Sequence, residues 1–382
     1  MAEVDLEAVR AHLGHRGQPP GPVEVGTALR ALGVLVSDTV VRQTVAALRR
    51  DSVGAGVLDP LLHLPGVTDV LVNGPDRVYL DRGAGLEPAG VSFSGEDEVR
   101  RLAVRLAASV GRRLDDGSPF VDARLPSGVR VHAVLPCVAD AGTCLSLRVP
   151  NRQRLTLDDW VSCGSVGTQG AELLAAVVAS RRAFLISGGT GTGKTTLLGG
   201  LLGLVPAEER IVIAEDSREL QPDHPHCLRL EARPANAEGA GAVTLTQLVR
   251  QALRMRPDRL VVGEVRGAEI ADLLSALNTG HEGGCGTVHA NSAADVPARL
   301  EALAALAGLG REALHAQLGA ALQVLVHVRR LPDGRRWVDE LRLVRADPAT
   351  GRCLAVPAIR FLPDGGSVPG EGYSELIRQV AL

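Results

Sequence analysis

One lysine stands in a segment whose spacing is typical of phosphate-binding loops. Lysine and arginine together number 41 in this 382-residue chain, and the only lysine is Lys194, in the segment GGTGTGKT at 188–195. Glycines let successive backbone N–H groups face phosphate oxygens, and the compact lysine ammonium reaches between phosphates where arginine's planar group does not fit. The segment therefore predicts nucleotide binding. The predicted binding residues are Gly188, Gly189, Thr190, Gly191, Thr192, Gly193, Lys194, Thr195 and Thr196.

Acidic residues follow two apolar segments that are expected to be strands of one sheet. RIVIAEDSREL places Glu215 and Asp216 after one segment, and PDRLVVGEVRG places Glu264 after the other. Ligands of open α/β sheets bind at the carboxyl ends of the strands. We expect Thr195, Glu215 and Glu264 to hold Mg²⁺ directly or through water, and one of the two glutamates to activate water for ATP hydrolysis. An acidic helix cap or a solvated strand end is the alternative for each glutamate.

Two histidines lie in the later segment TGHEGGCGTVHANSA. His281 and His289 are eight residues apart across several glycines, with no third ligand type nearby, which is a poor pattern for zinc. His289 is better interpreted as a histidine at the end of a strand, where it would hydrogen-bond to the γ-phosphate. A purely structural histidine is the alternative for both.

The elements that must position these residues change along the chain. Helical periodicity comes first, then short strands with turns, then apolar segments such as AFLIS, RIVIAE and RLVVGE that alternate with helical stretches. This last alternation is typical of buried parallel strands in a doubly wound α/β sheet. The expected division is a helical arm (1–54), an α+β domain (55–155), a linker (156–164), an α/β domain (165–350) and a C-terminal tail (351–382).

Composition narrows the classes of protein and partner. The net charge of −3 and the pI near 6.4 give no overall attraction to nucleic acid, which argues against nucleic acid as a partner. No apolar run reaches the roughly 18 residues of a membrane span, and the N-terminus lacks the pattern of a signal peptide, so we expect a cytoplasmic protein. The six cysteines include no Cys-x-x-Cys pair, which argues against structural zinc and a redox motif.

Taken in order, GGTGTGKTT, IAEDSREL, LVVGEVRG and TGHEGGCGTVHANS resemble the Walker A, Asp box, Walker B and His box of the secretion ATPase superfamily. VTDVLVNGPDRVYLDRG, GRRLDDGSPFVDARLPSGVRVHAVLP and LSLRVPNR look like the N-terminal domain of the tight-adherence (Flp pilus) ATPases. The resemblance covers residues 55 to 345. It implies a RecA-like ATPase domain with a mostly parallel sheet, preceded by a smaller, PAS-like α+β domain. The tetracysteine zinc module of many type II secretion and pilus extension ATPases is absent.

The resemblance also implies roles for arginines outside the loop. In the family, the N-terminal domain supplies arginines to the nucleotide phosphates, and Arg124, Arg130 and Arg148 fall on the matching positions of this sequence. Arg266, in GEVRG, matches a further family position that contacts either the nucleotide or a neighbouring subunit. An exposed surface arginine is the alternative for each of them.

A cellular role follows from the same resemblance. It implies a homohexameric, ATP- and Mg²⁺-dependent ATPase at the inner face of the cell membrane, which acts with an inner-membrane platform protein of a pilus or secretion system. Two alternatives remain open at this point. One is an ATPase that translocates DNA in conjugation or competence, and the other is a nucleotide-gated structural ring with little turnover.

Overall fold

A computed structural model describes residues 6–13, 21–34, 36–52, 54–83, 85–150, 154–235 and 239–380. The chain divides into two compact units. The first unit comprises residues 1–151 and the second comprises residues 152–382. Among the described residues, no helix combines the length and the apolar character needed to cross a membrane.

Three helices open the first unit and pack around a small apolar core of their own. They are α1 (Leu6–Leu13), α2 (Pro22–Ala31) and α3 (Asp38–Ser52). The start of α2 is stabilised because the Glu24 carboxylate accepts a 2.9 Å hydrogen bond from the Gly21 N–H, and a proline occupies the first turn. The core residues are Val9, Val25, Ala28, Leu29, Val45 and Leu48.

An antiparallel sheet forms the remainder of the first unit. Its elements are β1 (Asp69–Asn73), β2 (Val78–Asp81), β3 (Leu86–Pro88), α4 (Glu96–Ala108), β4 (Phe120–Arg124), β5 (Arg130–Val134) and β6 (Cys144–Arg148). The strand order is β3-β2-β1-β6-β5-β4. Alternate strand residues are buried together with one side of α4, as the twofold period of a strand requires. The intervening residues of β4, β5 and β6 point to the opposite, more exposed face.

The second unit is built on a nine-stranded mixed sheet. Its elements are α5 (Leu157–Ser162), α6 (Thr168–Ala179), β7 (Phe184–Gly188), α7 (Lys194–Leu202), β8 (Ile211–Glu215), β9 (Cys227–Glu231), α8 (Leu245–Ala252), β10 (Arg259–Val265), α9 (Glu269–Leu277), β11 (Cys285–His289), α10 (Val296–Leu306), α11 (Arg311–Ala321), β12 (Val324–Arg330), β13 (Arg336–Ala346), β14 (Cys353–Phe361), β15 (Ser367–Pro369) and α12 (Tyr373–Val380). The strand order is β15-β14-β13-β12-β7-β11-β10-β8-β9.

The strands from β12 to β9 are parallel, and helices cover both faces of the sheet. One apolar core lies between the sheet and α5, α6, α7 and α12, and the other lies between the sheet and α8 to α11. Strands covered on both faces are mostly apolar, and all five residues of β7 and of β8 are buried, with the polar Ser187 and Glu215 at or near their carboxyl ends. The α/β prediction for this part of the chain is confirmed.

The C-terminal residues differ from the tail expected from their composition. β14 pairs with β13, β15 pairs with β14, and α12 buries Leu376 and Val380 against the core. The glycines that suggested a tail form a tight turn, in which Gly365 has a φ of +92° and the Leu362 N–H donates to Gly366 O at 2.8 Å. These residues therefore extend the sheet with antiparallel strands.

The expected linker also contains regular structure. Thr156 and Asp159 form a reciprocal capping box at the start of α5, in which the Thr156 N–H donates to Asp159 Oδ2 at 2.7 Å. The next turn carries Trp160, which is only 2% exposed. This segment is thus packed into the second unit.

Candidate nucleotide-binding site

The predicted phosphate loop joins the end of β7 to the start of α7. A Cβ atom at Gly188 would lie 2.2 Å from Val328 O, and one at Gly193 would lie 2.7 Å from Arg336 Cδ, so neither position has room for a side chain. Gly193, with a φ of +94°, directly precedes the first residue of α7. Thr192 Oγ1 donates to Gly189 O at 3.0 Å and closes the loop on itself.

Lys194 is buried within this loop, with 6% of its surface exposed. Its Nζ donates to Gly188 O at 3.0 Å and to Gly189 O at 2.8 Å, and lies 3.3 Å from His289 Nδ1. Burial lowers the pKa of Lys194, and the negative charge of Glu264 partly opposes this effect. None of these three partners is an anion, so a phosphate group would be a stronger partner for the ammonium than any of them.

His289 and Glu264 extend this arrangement across two neighbouring strands. His289, the last residue of β11, lies opposite Gly188 on β7, and its Nε2 is 2.8 Å from Glu264 Oε1. The two atoms lack hydrogen-bond geometry, and the buried Oε1 has no other hydrogen-bond partner. Glu264 Oε2 accepts a 2.5 Å bond from Arg266 Nη2. Burial and the charge of Lys194 lower the pKa of His289, which favours a neutral imidazole at neutral pH.

Glu215 ends β8 in a different environment. It is 3% exposed, and its Oε1 accepts 3.0 Å bonds from the backbone N–H groups of Glu219 and Leu220. Its Oε2 is buried without a hydrogen-bond partner, and a Cβ at Gly263, the residue before Glu264, would lie 2.5 Å from Glu215 Cγ. Burial raises the pKa of Glu215 to about 7. The structure thus brings both glutamates to one region of the sheet.

These residues fit a magnesium ion. Thr195 lies in the first turn of α7, Glu215 has a buried carboxylate oxygen without a hydrogen-bond partner, and the buried Oε1 of Glu264 faces His289 alone. Mg²⁺ in phosphate-loop proteins takes one or two carboxylates or hydroxyls and completes its shell with phosphate oxygens and water. Across the described part of the chain, no group of three His, Cys, Asp or Glu residues could hold a metal ion by itself.

The remaining residues singled out in the sequence have different positions. Asp216 is exposed in the turn after β8. His281 precedes β11, and its N–H bonds to Ala276 O, so it lies at the opposite end of that strand from His289. Thr196 is half-buried beside Thr195.

The three arginines predicted in the first unit lie side by side. Arg124 on β4 is opposite Arg130 on β5, which in turn is opposite Arg148 on β6. Directly opposed residues of neighbouring strands point to the same face, so the three side chains form one row, called here the arginine row. Arg130 is held by Asp122, with Nε 3.0 Å from Oδ1, and this pair lowers the pKa of Asp122.

Residues 51–349 match the type II/IV secretion system protein family. The chain belongs to that family. The predicted membership of the secretion ATPase superfamily is therefore confirmed, whereas the closer likeness to tight-adherence ATPases stays a prediction.

Known proteins match most of the length of this chain. The conjugal transfer protein Rv3659c of Mycobacterium tuberculosis is 55% identical over 84% of this chain and 93% of its own length. The VirB11 protein of the Brucella suis type IV secretion system is 31% identical over 84% of this chain and 97% of its own. Among solved structures, the ATPase DotB of Yersinia pseudotuberculosis has a TM-score of 0.54 at 16% identity and covers 77% of this chain and 79% of its own. This likeness confirms the predicted fold class.

Trp160 and Arg336 also contact the loop, and neither was identified from the sequence. A Cβ placed at Gly193 would lie 3.1 Å from Trp160 Cη2 and 3.4 Å from Arg336 Nε. Arg336 starts β13, in the hairpin after β12, and β12 lies beside β7. The sequence does show an arginine at this position, in the hairpin sequence LPDGRRW. Its contact with the loop can be inferred only once the strand order is known.

Proposed function

We propose that this protein hydrolyses ATP with Mg²⁺ at the loop formed by residues 188–196. The observation that supports this most is the buried Lys194 ammonium, whose partners in the loop are neutral and whose neighbour His289 faces Glu264. In this proposal the loop N–H groups bind the phosphates, and Lys194 exchanges its carbonyl partners for oxygens of the β- and γ-phosphates. Residues 165–350, together with the flanking segments that pack into the second unit, would form the ATPase domain.

Glu264 is the proposed base that orients and deprotonates the attacking water. Its Oε1 lies 2.8 Å from His289 Nε2, next to the γ-phosphate position implied by Lys194, so a water bound to this carboxylate would lie beside that phosphate. Glu215 is proposed to support the site instead, because its Oε1 already holds two backbone N–H groups. Mg²⁺, when bound, would neutralise charge on the phosphates, with Thr195, Glu215 and Glu264 as the residues that hold it directly or through water.

The arginine row is proposed to bind phosphate oxygens as well. Like charges directly opposite one another on a sheet are destabilising, and Arg124, Arg130 and Arg148 occupy three successive strands. Asp122 already neutralises part of this charge through its pair with Arg130, and a bound phosphate would add charge-assisted hydrogen bonds from the three side chains.

The proposed cellular role is a motor for a secretion system or a pilus. Family membership supports a cytoplasmic homohexamer at the inner face of the membrane, which couples hydrolysis to domain motion and acts on an inner-membrane platform protein. A second candidate is conjugal DNA transfer, which is favoured by the name of the M. tuberculosis relative. A net charge of −3 argues against direct DNA binding by this chain. The third candidate, a ring with little turnover, predicts ATP binding without steady-state phosphate release.

The test is to measure ATP binding and steady-state phosphate release in the full-length protein. The wild type should do both, and Lys194→Ala should lose turnover. Arg352→Ala is a matched control, because Arg352 is an exposed cation of the same unit in the turn before β14. Turnover of Lys194→Ala within about tenfold of wild type, a barrier change of only about 1.4 kcal/mol, would refute the assignment of the loop.

The transported substrate needs separate measurements. Identification of the membrane protein that copurifies with the chain would support a platform-linked motor. DNA binding that weakens steeply with increasing salt would support the DNA-translocating candidate instead.

A further inference from the structure

A row of polar side chains crosses three neighbouring strands of the second unit's sheet, beside the phosphate loop. Ser187 on β7 lies opposite His327 on β12, and His327 lies opposite Glu340 on β13. These three are 0%, 5% and 9% exposed, respectively, and directly opposed residues share one face of the sheet. Arg360 on β14 lies opposite Glu340, and its exposed side chain is 3.9 Å from the neighbouring Asp339.

The end of this row nearest the loop is joined by a buried hydrogen bond. Ser187 Oγ lies 2.9 Å from His327 Nδ1 and 3.3 Å from Val326 O. Burial lowers the pKa of His327, so a neutral imidazole is favoured at neutral pH. A neutral ring nitrogen and a hydroxyl satisfy each other without bringing a charge into the core.

The same stretch of β12 also contacts the first residue of the loop. Ser187 directly precedes Gly188, and Val328 O occupies the space where a Cβ of Gly188 would lie. Gly188 O in turn accepts a 3.0 Å bond from Lys194 Nζ. The side chain before the loop and the backbone at its start therefore both contact three consecutive residues of β12, from Val326 to Val328.

A sheet core does not need this polar pair for stability. The preceding residues of β7 are Phe184, Leu185 and Ile186, and burial of polar groups is unfavourable unless each is hydrogen-bonded. We propose that His327 is a positioning residue, whose bond to Ser187 orients the start of the phosphate loop and hence Lys194. This inference rests on the proposed function, and it adds to that function a residue that lies outside every recognised motif.

The decisive variant is the double substitution Ser187→Ala with His327→Leu. Because it removes both partners, it leaves no buried polar atom of the pair unsatisfied, and the melting temperature should stay close to that of the wild type. We expect kcat/KM for ATP to fall by about tenfold to a hundredfold, since a misplacement of about 1 Å costs up to about a hundredfold. In the wild-type background, His327→Asn places an amide near the position of Nδ1 and should retain most of kcat/KM.

A matched control is another buried histidine of the same unit, His315. Its Nε2 is 2.8 Å from Glu301 Oε1, and its Nδ1 accepts a 2.9 Å bond from the Cys353 N–H, so its bonds connect α11 to α10 and β14. His315→Leu should lower the melting temperature and leave kcat/KM unchanged at temperatures where the protein is folded. A purely structural role for His327 would produce this same pattern.

Wild-type kcat/KM in the folded double variant would overturn the proposal. If the double variant does not fold, Ser187→Ala alone decides, because it removes a single oxygen: reduced kcat/KM in folded protein supports the proposal, and normal kcat/KM overturns it. Failure of the proposed function gives a different result, in which wild-type protein shows no turnover that depends on Lys194. That result would overturn both proposals together.

Discussion

Replacement of Glu264 by glutamine separates the proposed chemical role of this carboxylate from its structural role. The amide keeps the shape of the side chain and can still accept a bond from Arg266, but that bond is no longer charge-assisted, which costs about 1 kcal/mol of stability. The amide cannot take a proton from water. Loss of a general base typically slows a reaction by about 10² to 10⁴, which adds about 3 to 5 kcal/mol to the barrier.

The assay must therefore measure binding and turnover separately. Quenched-flow or coupled phosphate release gives kcat, and a fluorescent ATP analogue gives affinity, which should change little because Lys194 and the loop N–H groups remain. Glu215→Gln is the matched comparison, since both glutamates lie at the same edge of the sheet. A larger loss of kcat in Glu215→Gln than in Glu264→Gln would refute the assignment of the base. Loss of binding together with unfolding in Glu264→Gln would show that this residue is structural.

Three further predictions follow from the same contacts. Lys194→Arg should turn over ATP much more slowly than wild type, because a planar guanidinium cannot replace the compact ammonium that lies 3.0 Å from Gly188 O and 3.3 Å from His289 Nδ1; equal rates would contradict this explanation of the lone lysine. Burial raises the pKa of Glu215 above that of the unfolded chain, so its ionisation costs nothing below pH 4.5 and up to about 3 kcal/mol above pH 7. Glu215→Gln should therefore gain stability relative to wild type as pH rises from 4.5 to 7 in urea titrations, and a pH-independent difference would contradict it. Alanine in the arginine row should slow ATP turnover of the assembled protein by about tenfold to a hundredfold, with little recovery by lysine; normal rates in all three single variants would exclude the row from the site.

The part of the site that could be predicted from sequence is the part made by consecutive residues. The loop 188–196 has local requirements, namely glycines for backbone contact and one lysine for phosphate, and these appear as a contiguous pattern. Glu215, Glu264 and His289 were predictable as well, because each lies at or near the end of an apolar segment and parallel strands end at the same edge of the sheet.

Residues brought in by strand order could not be predicted in the same way. Trp160 contacts the loop because α5 packs against it. Arg336 and His327 lie near the loop because β12 lies beside β7, although some 140 residues of chain separate these two strands. Nothing local in the sequence specifies that neighbour. The strands of the C-terminal residues could not be predicted for a different reason. Glycine and proline in a tight hairpin give the same composition as a flexible tail.

The buried position of Lys194 has a consequence for amine chemistry. Lys194 carries the only side-chain amino group of this chain. Apart from the terminal amine, it is therefore the only amine that an acylating reagent or an acetyl donor could modify, and it lies inside the phosphate loop. Its lowered pKa increases the fraction of reactive free base, whereas bound phosphates would shield it. Because Lys194 is only 6% exposed, the mass of one peptide would report how often the loop opens to the reagent, and bound phosphate should reduce that reaction. Acylation of Lys194 removes the positive charge of the only lysine side chain, which lies inside the loop.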